Sequence, residues 1–220
     1  MAASQTQLVL TNDADYSVQV YITLGAVAGC VQNVSDIPFV TNVVNNLQGW
    51  FTLGSGDTVS YTPAEGVGID GNYCFGSPPL NCPTDDYPDG VNLAEFNLNI
   101  GFQPGNPQES IDVSAVAGVN AFIKFSMSGG GAWNASSAYP NVTEFENKRL
   151  KDNCGVIGVY PYGCDGCTER VSPPDCSNNQ PPPPPYGNCQ SASICQVQRD
   201  ASEAGGMVVI SFKGFTQAVS

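Results

Sequence analysis

"NLAEFNLN" at residues 92–99 and "ESIDVS" at residues 109–114 decide the fold. Read with a period of two, the first puts Ala94, Phe96, Leu98 and Ile100 on one face and Leu93, Glu95, Asn97 and Asn99 on the other. In the second, Ile111 and Val113 oppose Asp112 and Ser114. Such alternation describes a strand with a core side and a wet side. The joining stretch "GFQPGNPQES" is rich in turn formers, so the two segments are expected to pair and to set Glu95 and Asp112 on one face. Two neighbouring acids can act as a catalytic or binding pair, yet acids along a solvated sheet face are also ordinary. The alternation supports both readings.

The same period runs outward along the chain. "TQLVLTNDADYSVQVYITL" (6–24) predicts a β-hairpin turning at Asn12–Asp15. "GWFTLGSGDTVSYTP" (49–63) predicts a further strand pair broken at Gly54–Gly56, and "VNAFIKFSM" (119–127) alternates well. "GMVVISFKGF" (206–215) is the strongest strand of all. Turn clusters recurring every 8–12 residues or so give the rhythm of an all-β sandwich or barrel. After Ser128 the pattern fades. Residues 129–204 hold six of the nine cysteines, a five-proline run at 181–185 and, within "NKRLKDN", three of the seven bases. Within them "TEFENKRLKDN" (143–153) opens with a capping-box pattern, Thr143 with Glu146, and predicts a short helix. The expected division is a β core of residues 1–128 plus 205–220, with a loop-rich, crosslinked lobe at 129–204 inserted before the C-terminal strand.

Charge narrows the function. Twenty acids against seven bases give a net charge of −13, which argues against nucleic acid and anionic membranes as partners, since both require a basic footprint. Histidine is absent, which removes Ser-His and Cys-His catalysis and histidine metal sites. No motif calls for a cofactor or a metal, and no apolar run approaches the roughly 18 residues of a membrane helix.

Nine cysteines in a polar chain point to an oxidising compartment. Four sequence-neighbour pairs, Cys74/Cys82, Cys154/Cys164, Cys167/Cys176 and Cys189/Cys195, each close a short loop containing Gly or Pro. A crosslink closing roughly ten residues contributes about 2–3 kcal/mol by restricting the unfolded chain. Cys30 is then the odd thiol, either buried as a small hydrophobe or available for self-association. Cys164-Asp-Gly-Cys167 also admits a redox dithiol, or half a zinc site with Cys154 and Cys176. Sequons at Asn33, Asn134 and Asn141 agree with a secreted glycoprotein whose leader has been removed, with a cytosolic protein bearing free thiols as the alternative.

"LAEF" followed by "IDVSAVAGVN" resembles the thaumatin-like family, which carries a Leu-Ala-Glu-Phe strand and then an acidic Asp-Val/Ile-Ser stretch. "LVLTNDADYSVQVYI", "LGSGDTVSY" and the spacing of Cys154, Cys164, Cys167 and Cys176 are similar to further segments of that family. The chain departs from it in having fewer cysteines, with none at either end. The resemblance implies a two-sheet thaumatin-like sandwich, a disulfide-rich lobe, a defence-related secreted protein and an acidic cleft that binds glucan. In the family that cleft carries one Arg, one Glu and three Asp. Glu95 and Asp112 match two of these positions; the second Asp falls on Ala117, the Arg near Phe51, and Asp165 is a candidate for the last.

The expected function is therefore binding of a neutral wall polysaccharide such as β-glucan, with Glu95, Asp112, Asn97 and Asp165 supplying polar contacts and Tyr160 and Tyr162 stacking on sugar rings. Glu95 and Asp112 are also the candidates for any hydrolysis, which would be that of a weak endo-β-1,3-glucanase. The rival expectation is a structural component of an extracellular coat or matrix that keeps the fold without the cleft.

Overall fold

A computed structural model describes residues 5–80, 84–87, 90–100, 108–115, 118–135, 137, 139–147, 157–160 and 196–216. It is a two-sheet β-sandwich, the architecture that the thaumatin-like resemblance implies. In chain order the strands are β1 (Gln7–Asn12), β2 (Val18–Leu24), β3 (Asn42–Asn45), β4 (Gln48–Leu53), β5 (Thr58–Tyr61), β6 (Ile69–Phe75) and β7 (Leu93–Leu98). They continue with β8 (Gln108–Ser114), β9 (Ala121–Ser128), β10 (Glu144–Glu146), β11 (Val159–Tyr160), β12 (Val197–Asp200) and β13 (Met207–Phe215). The smaller sheet runs β10-β9-β13-β1-β5, and the larger runs β11-β8-β7-β6-β2-β4-β3 with β12 also on β8.

The expected hairpin at 6–24 does not form. Both strands are present, but β1 pairs with β13 and β5 in one sheet while β2 pairs with β4 and β6 in the other. Likewise β4 and β5, expected as a pair, lie in opposite sheets. Asn12 explains both crossings. Fully buried, it donates from Nδ2 to the carbonyls of Tyr16, Leu53 and Gly54 and accepts at Oδ1 from the Ala14 N–H. One amide thus ties the two corners together and satisfies backbone groups that a hairpin ladder would otherwise have used.

β13 lies between β1 (parallel) and β9 (antiparallel), so the strand read as strongest in sequence is central to its sheet. Its Val208, Ile210 and Phe212 meet Leu8, Leu10, Ile123 and Phe125 in the core, with Val20, Ile22, Tyr73, Phe75, Phe96 and Val113 from the opposite sheet. Phe75 and Phe212 stack across the sandwich with ring centroids 4.8 Å apart.

The predicted helix at 143–153 is a strand over its described part. β10 lies along β9, where Phe145 stacks on Phe125 at 4.9 Å and Glu144 pairs with Lys124 at 2.7 Å. Burying one aromatic ring outweighs a local capping preference. The composition boundary at Ser128 is not a boundary of the core: β10, β11 and β12 all join the two sheets, and Trp133, Phe145, Val159 and Val197 are core residues. Residues 148–156 and 161–195, with Cys154, Cys164, Cys167, Cys176, Cys189 and Cys195, lie outside the described residues.

Candidate functional site

Glu95 on β7 and Asp112 on β8 are directly opposite one another, so the expected shared face exists. Following the register outward gives a row of polar side chains across the larger sheet. Asp112 faces Glu95, Glu95 faces Asn72, Asn72 faces Thr23, and Thr23 faces Gln48. At the other end Val197 pairs with Ile111, which brings Gln196 beside Asp112. One step along the strands, Asp70, Asn97 and Ser110 form a second short row. Core-facing neighbours such as Ala94, Phe96, Ile111 and Val113 anchor these strands from below, so alternation alone aims the polar set outward.

Together the two rows line a cleft of about 310 Å³, reaching from Thr23, Leu24 and Gly25 to Ser110 and Gln196. That is the small end of ligand sites, at roughly 300–1,000 Å³. Gly25 keeps it open, because a Cβ there would run into the Asp70 carboxylate. Four side-chain oxygens of the lining, Thr23 Oγ1, Asn72 Oδ1, Asn97 Oδ1 and Asp112 Oδ1, are buried with no partner in the protein. Buried polar atoms without partners are few in a typical domain, and four of them border this one cleft.

The carboxyls are strongly perturbed. Burial pushes Asp112 well above the usual carboxylate range, and the neighbouring Glu95 charge and their hydrogen bond add to this, with Gln196 opposing. Glu95 is raised by burial and by Asp70, while its bond from Asp112 works the other way. Asp112, only 3% exposed, is the more strongly raised of the two. Burial also raises Asp70. These three acids do not converge as a metal-binding group. Glu95 and Asp112 also lie within hydrogen-bonding reach, closer than the roughly 5–5.5 Å of retaining or 6.5–9.5 Å of inverting glycosidases.

Of the residues expected from sequence, Glu95, Asp112 and Asn97 meet in this cleft. Asp165, Tyr162 and Ala117 lie outside the described residues. Tyr160 ends β11 with its backbone opposite Ser114. Phe51, the position nearest the family's Arg, is on the core face against Phe39 at 4.9 Å, and among the described residues no Arg or Lys lines the cleft. Missed in sequence were Asp70, Asn72, Thr23, Ser110 and Gln196. The alternation of "GIDGNY" could have shown Asp70 and Asn72, but nothing local shows that β2, β6 and the residue before β12 border β7 and β8.

The cysteines and sequons are placed as follows. Cys74 carries a free, buried thiol that donates to the Ser77 carbonyl at 2.9 Å, and its expected partner Cys82 lies outside the described residues. Cys30 is buried, 5% exposed, and burial with the nearby Asp70 pushes its thiol up to about 11. Of the two places expected for Cys30, this is the buried one. Asn33 caps a short 3-10 turn at Val34–Asp36, Asn134 bridges to Gln198, and Asn141 is exposed with φ 57°.

No family model matches the chain, and no curated protein matches it. Among solved structures it is similar to the protein elicitor MoHrip2 from Magnaporthe oryzae, at 11% identity and a TM-score of 0.41, over 95% of this chain and 99% of that one. It is also similar to the thaumatin-like xylanase inhibitor TLXI, at 14% identity and a TM-score of 0.40, over 93% and 97%. At these values the likeness says nothing about what this chain binds. Among the described residues, no helix is long and apolar enough to cross a membrane.

Proposed function

We propose that this chain is a secreted, thaumatin-like carbohydrate-binding protein whose cleft takes a neutral wall polysaccharide, β-glucan first. One observation carries the reading: an open cleft of about 310 Å³ has a polar lining in which the Glu95 and Asp112 carboxyls are directly opposite each other and four side-chain oxygens have no partner in the protein. A polyol brings the hydroxyl donors that such a lining lacks. Leaving a buried acceptor unpaired costs about 1–3 kcal/mol, so each satisfied oxygen contributes to affinity and to selectivity for hydroxylated ligands. The pairing of Glu95 with Asp112 on neighbouring strands favours binding over hydrolysis, since glycosidase carboxyls stand about 5 Å or more apart on either side of the bond they cleave.

The test is retention on insoluble β-1,3-glucan at low and high salt, comparing the parent with the Glu95→Gln/Asp112→Asn double variant. The parent is expected to be retained at both salt concentrations, since a neutral ligand offers no charge to screen, and the variant to be released. No retention of the parent would sink the proposal. Sugar released into the supernatant would overturn the preference for binding over catalysis.

A second reading, a coat or matrix component, has one observation in its favour. β3 is the edge strand of the larger sheet among the described residues, with Val43 and Val44 exposed at 53% and 63%, and edges of that kind invite pairing between chains. Sedimentation across a hundredfold concentration range decides it: a monomer throughout removes this reading.

A further inference from the structure

Beside the polar row, two neighbouring strands of the larger sheet carry a pair of aromatic side chains. Tyr21 on β2 and Trp50 on β4 are directly opposite in register, with ring centroids 6.2 Å apart and planes 33° from each other. Tyr21 is two residues from Thr23 and Trp50 two from Gln48, so both rings share the cleft's face, one step of about 6.8 Å along the strands. Both are only half-buried. Tyr87, donating to the Gly76 carbonyl, is near enough that its charge raises the Tyr21 phenol, behind burial as the larger cause. Core rings such as Phe75 and Phe212 face the other way, and nothing in the packing of the sandwich requires two large rings on the wet face.

We infer that Trp50 and Tyr21 form a second sugar subsite, continuous with the cleft, on which the apolar face of a β-linked pyranose stacks while the neighbouring unit reaches the Thr23–Asn72–Glu95–Asp112 row. This rests on the polysaccharide reading of the cleft and adds to it the direction of the chain and a minimum length. A β-glucopyranose holds its hydroxyls around its rim and C–H groups on its faces. A row of hydrogen-bond acceptors beside a pair of rings matches those two chemistries. The occupant is therefore a glucan oligosaccharide of at least two units, and a single sugar fills only the cleft.

Titration with β-1,3-gluco-oligosaccharides from one to six units, followed by calorimetry and tryptophan emission, tests the inference. The chain has two tryptophans, and Trp133 is buried at 3% exposure beneath the Arg199 guanidinium, so an emission change on binding reports Trp50. The parent is expected to gain affinity on going from one unit to two or more and to shift its emission. Trp50→Ala is expected to lose on the order of tenfold for the longer ligands, the effect of withdrawing about 50–60 Å² of apolar contact. It should keep the affinity for glucose, and Trp50→Phe should restore most of the loss. If Trp50→Ala binds the hexasaccharide like the parent while Glu95→Gln/Asp112→Asn does not bind it, the subsite is refuted and the cleft stands. If the parent binds no member of the series, both readings fall together.

Discussion

Removing Arg199 should destabilise this protein more than any single change in the cleft. Its side chain and that of Glu109 are fully buried, joined by an Nε–Oε2 bond of 2.5 Å. Every remaining N–H of the guanidinium is also used. Arg199 donates to the carbonyls of Gly129, Gly131 and Gly205 and to Thr6 Oγ1, and its guanidinium covers the Trp133 ring at 4.3 Å. Glu109 Oε1 accepts from Thr6 Oγ1 at 2.7 Å and from the Asn99 N–H at 2.8 Å. The network ties the entrance of β1, the end of β7, β8, β12 and the entrance of β13 to one point. Arg199→Met leaves the Glu109 charge buried and unpaired, a change that costs about 3–5 kcal/mol. At about 2–4 °C per kcal/mol for a chain of this size, the melting temperature should fall by roughly 6–20 °C. Glu109→Gln should fall in the same range. The double variant Glu109→Leu/Arg199→Met should be less damaging than the two singles added, since no orphan charge remains. Urea unfolding of the three variants measures this. A loss below about 1 kcal/mol for Arg199→Met, or strict additivity in the double variant, would refute the argument that the pair is one electrostatic unit.

Asp112 predicts the opposite sign. Its folded-state pKa is raised, so its contribution to stability is fully present below the unfolded value of about 3.9 and is lost as pH climbs towards the folded value. Asp112→Asn should therefore be more stable than the parent at pH 7, with the gain vanishing in acid. Urea midpoints for both proteins from pH 3 to pH 8 measure it, and a variant that is less stable at neutral pH would contradict the burial argument. Gly25→Ala drives a methyl group into the Asp70 carboxylate and should weaken retention on β-1,3-glucan with the sandwich still folded by circular dichroism; retention equal to the parent's would show that Asp70 has no part in binding. Cys30, with its thiol pushed up to about 11, should resist iodoacetamide at pH 8 in the folded protein and react once unfolded, as read by peptide mass. Rapid native labelling would place it at the surface.

The strand alternation around Glu95 and Asp112 was legible because each side chain's face is set by its own strand, and one pairing between sequence neighbours completed the face. The sheet partners of β2 were not. A run of alternating residues on each side of Asn12–Asp15 has the form of a hairpin, and the choice between hairpin and corner was made by Asn12 bonding carbonyls more than forty residues away. That choice decides the site, because it moves β2 into the sheet of β6 and β7, where Thr23 extends the row from Asn72 and Tyr21 comes to face Trp50. Asp70 stayed hidden for a related reason: its strand reads "IDGNY", and the glycine that breaks the apolar side of the alternation fits closely against the Thr23 backbone of β2. Gln196 and Arg199 come from beyond the proline run, in a stretch whose composition suggested loops. Their strand is instead held to β8 by a buried charge pair that no periodicity registers. The acids that name the cleft were thus readable one strand at a time, whereas the hydroxyl, amide and aromatic groups that would give it selectivity depend on which sheet each strand enters. A variant that loosened the Asn12 corner would accordingly lose the aromatic pair and Thr23 together, while leaving Glu95 opposite Asp112.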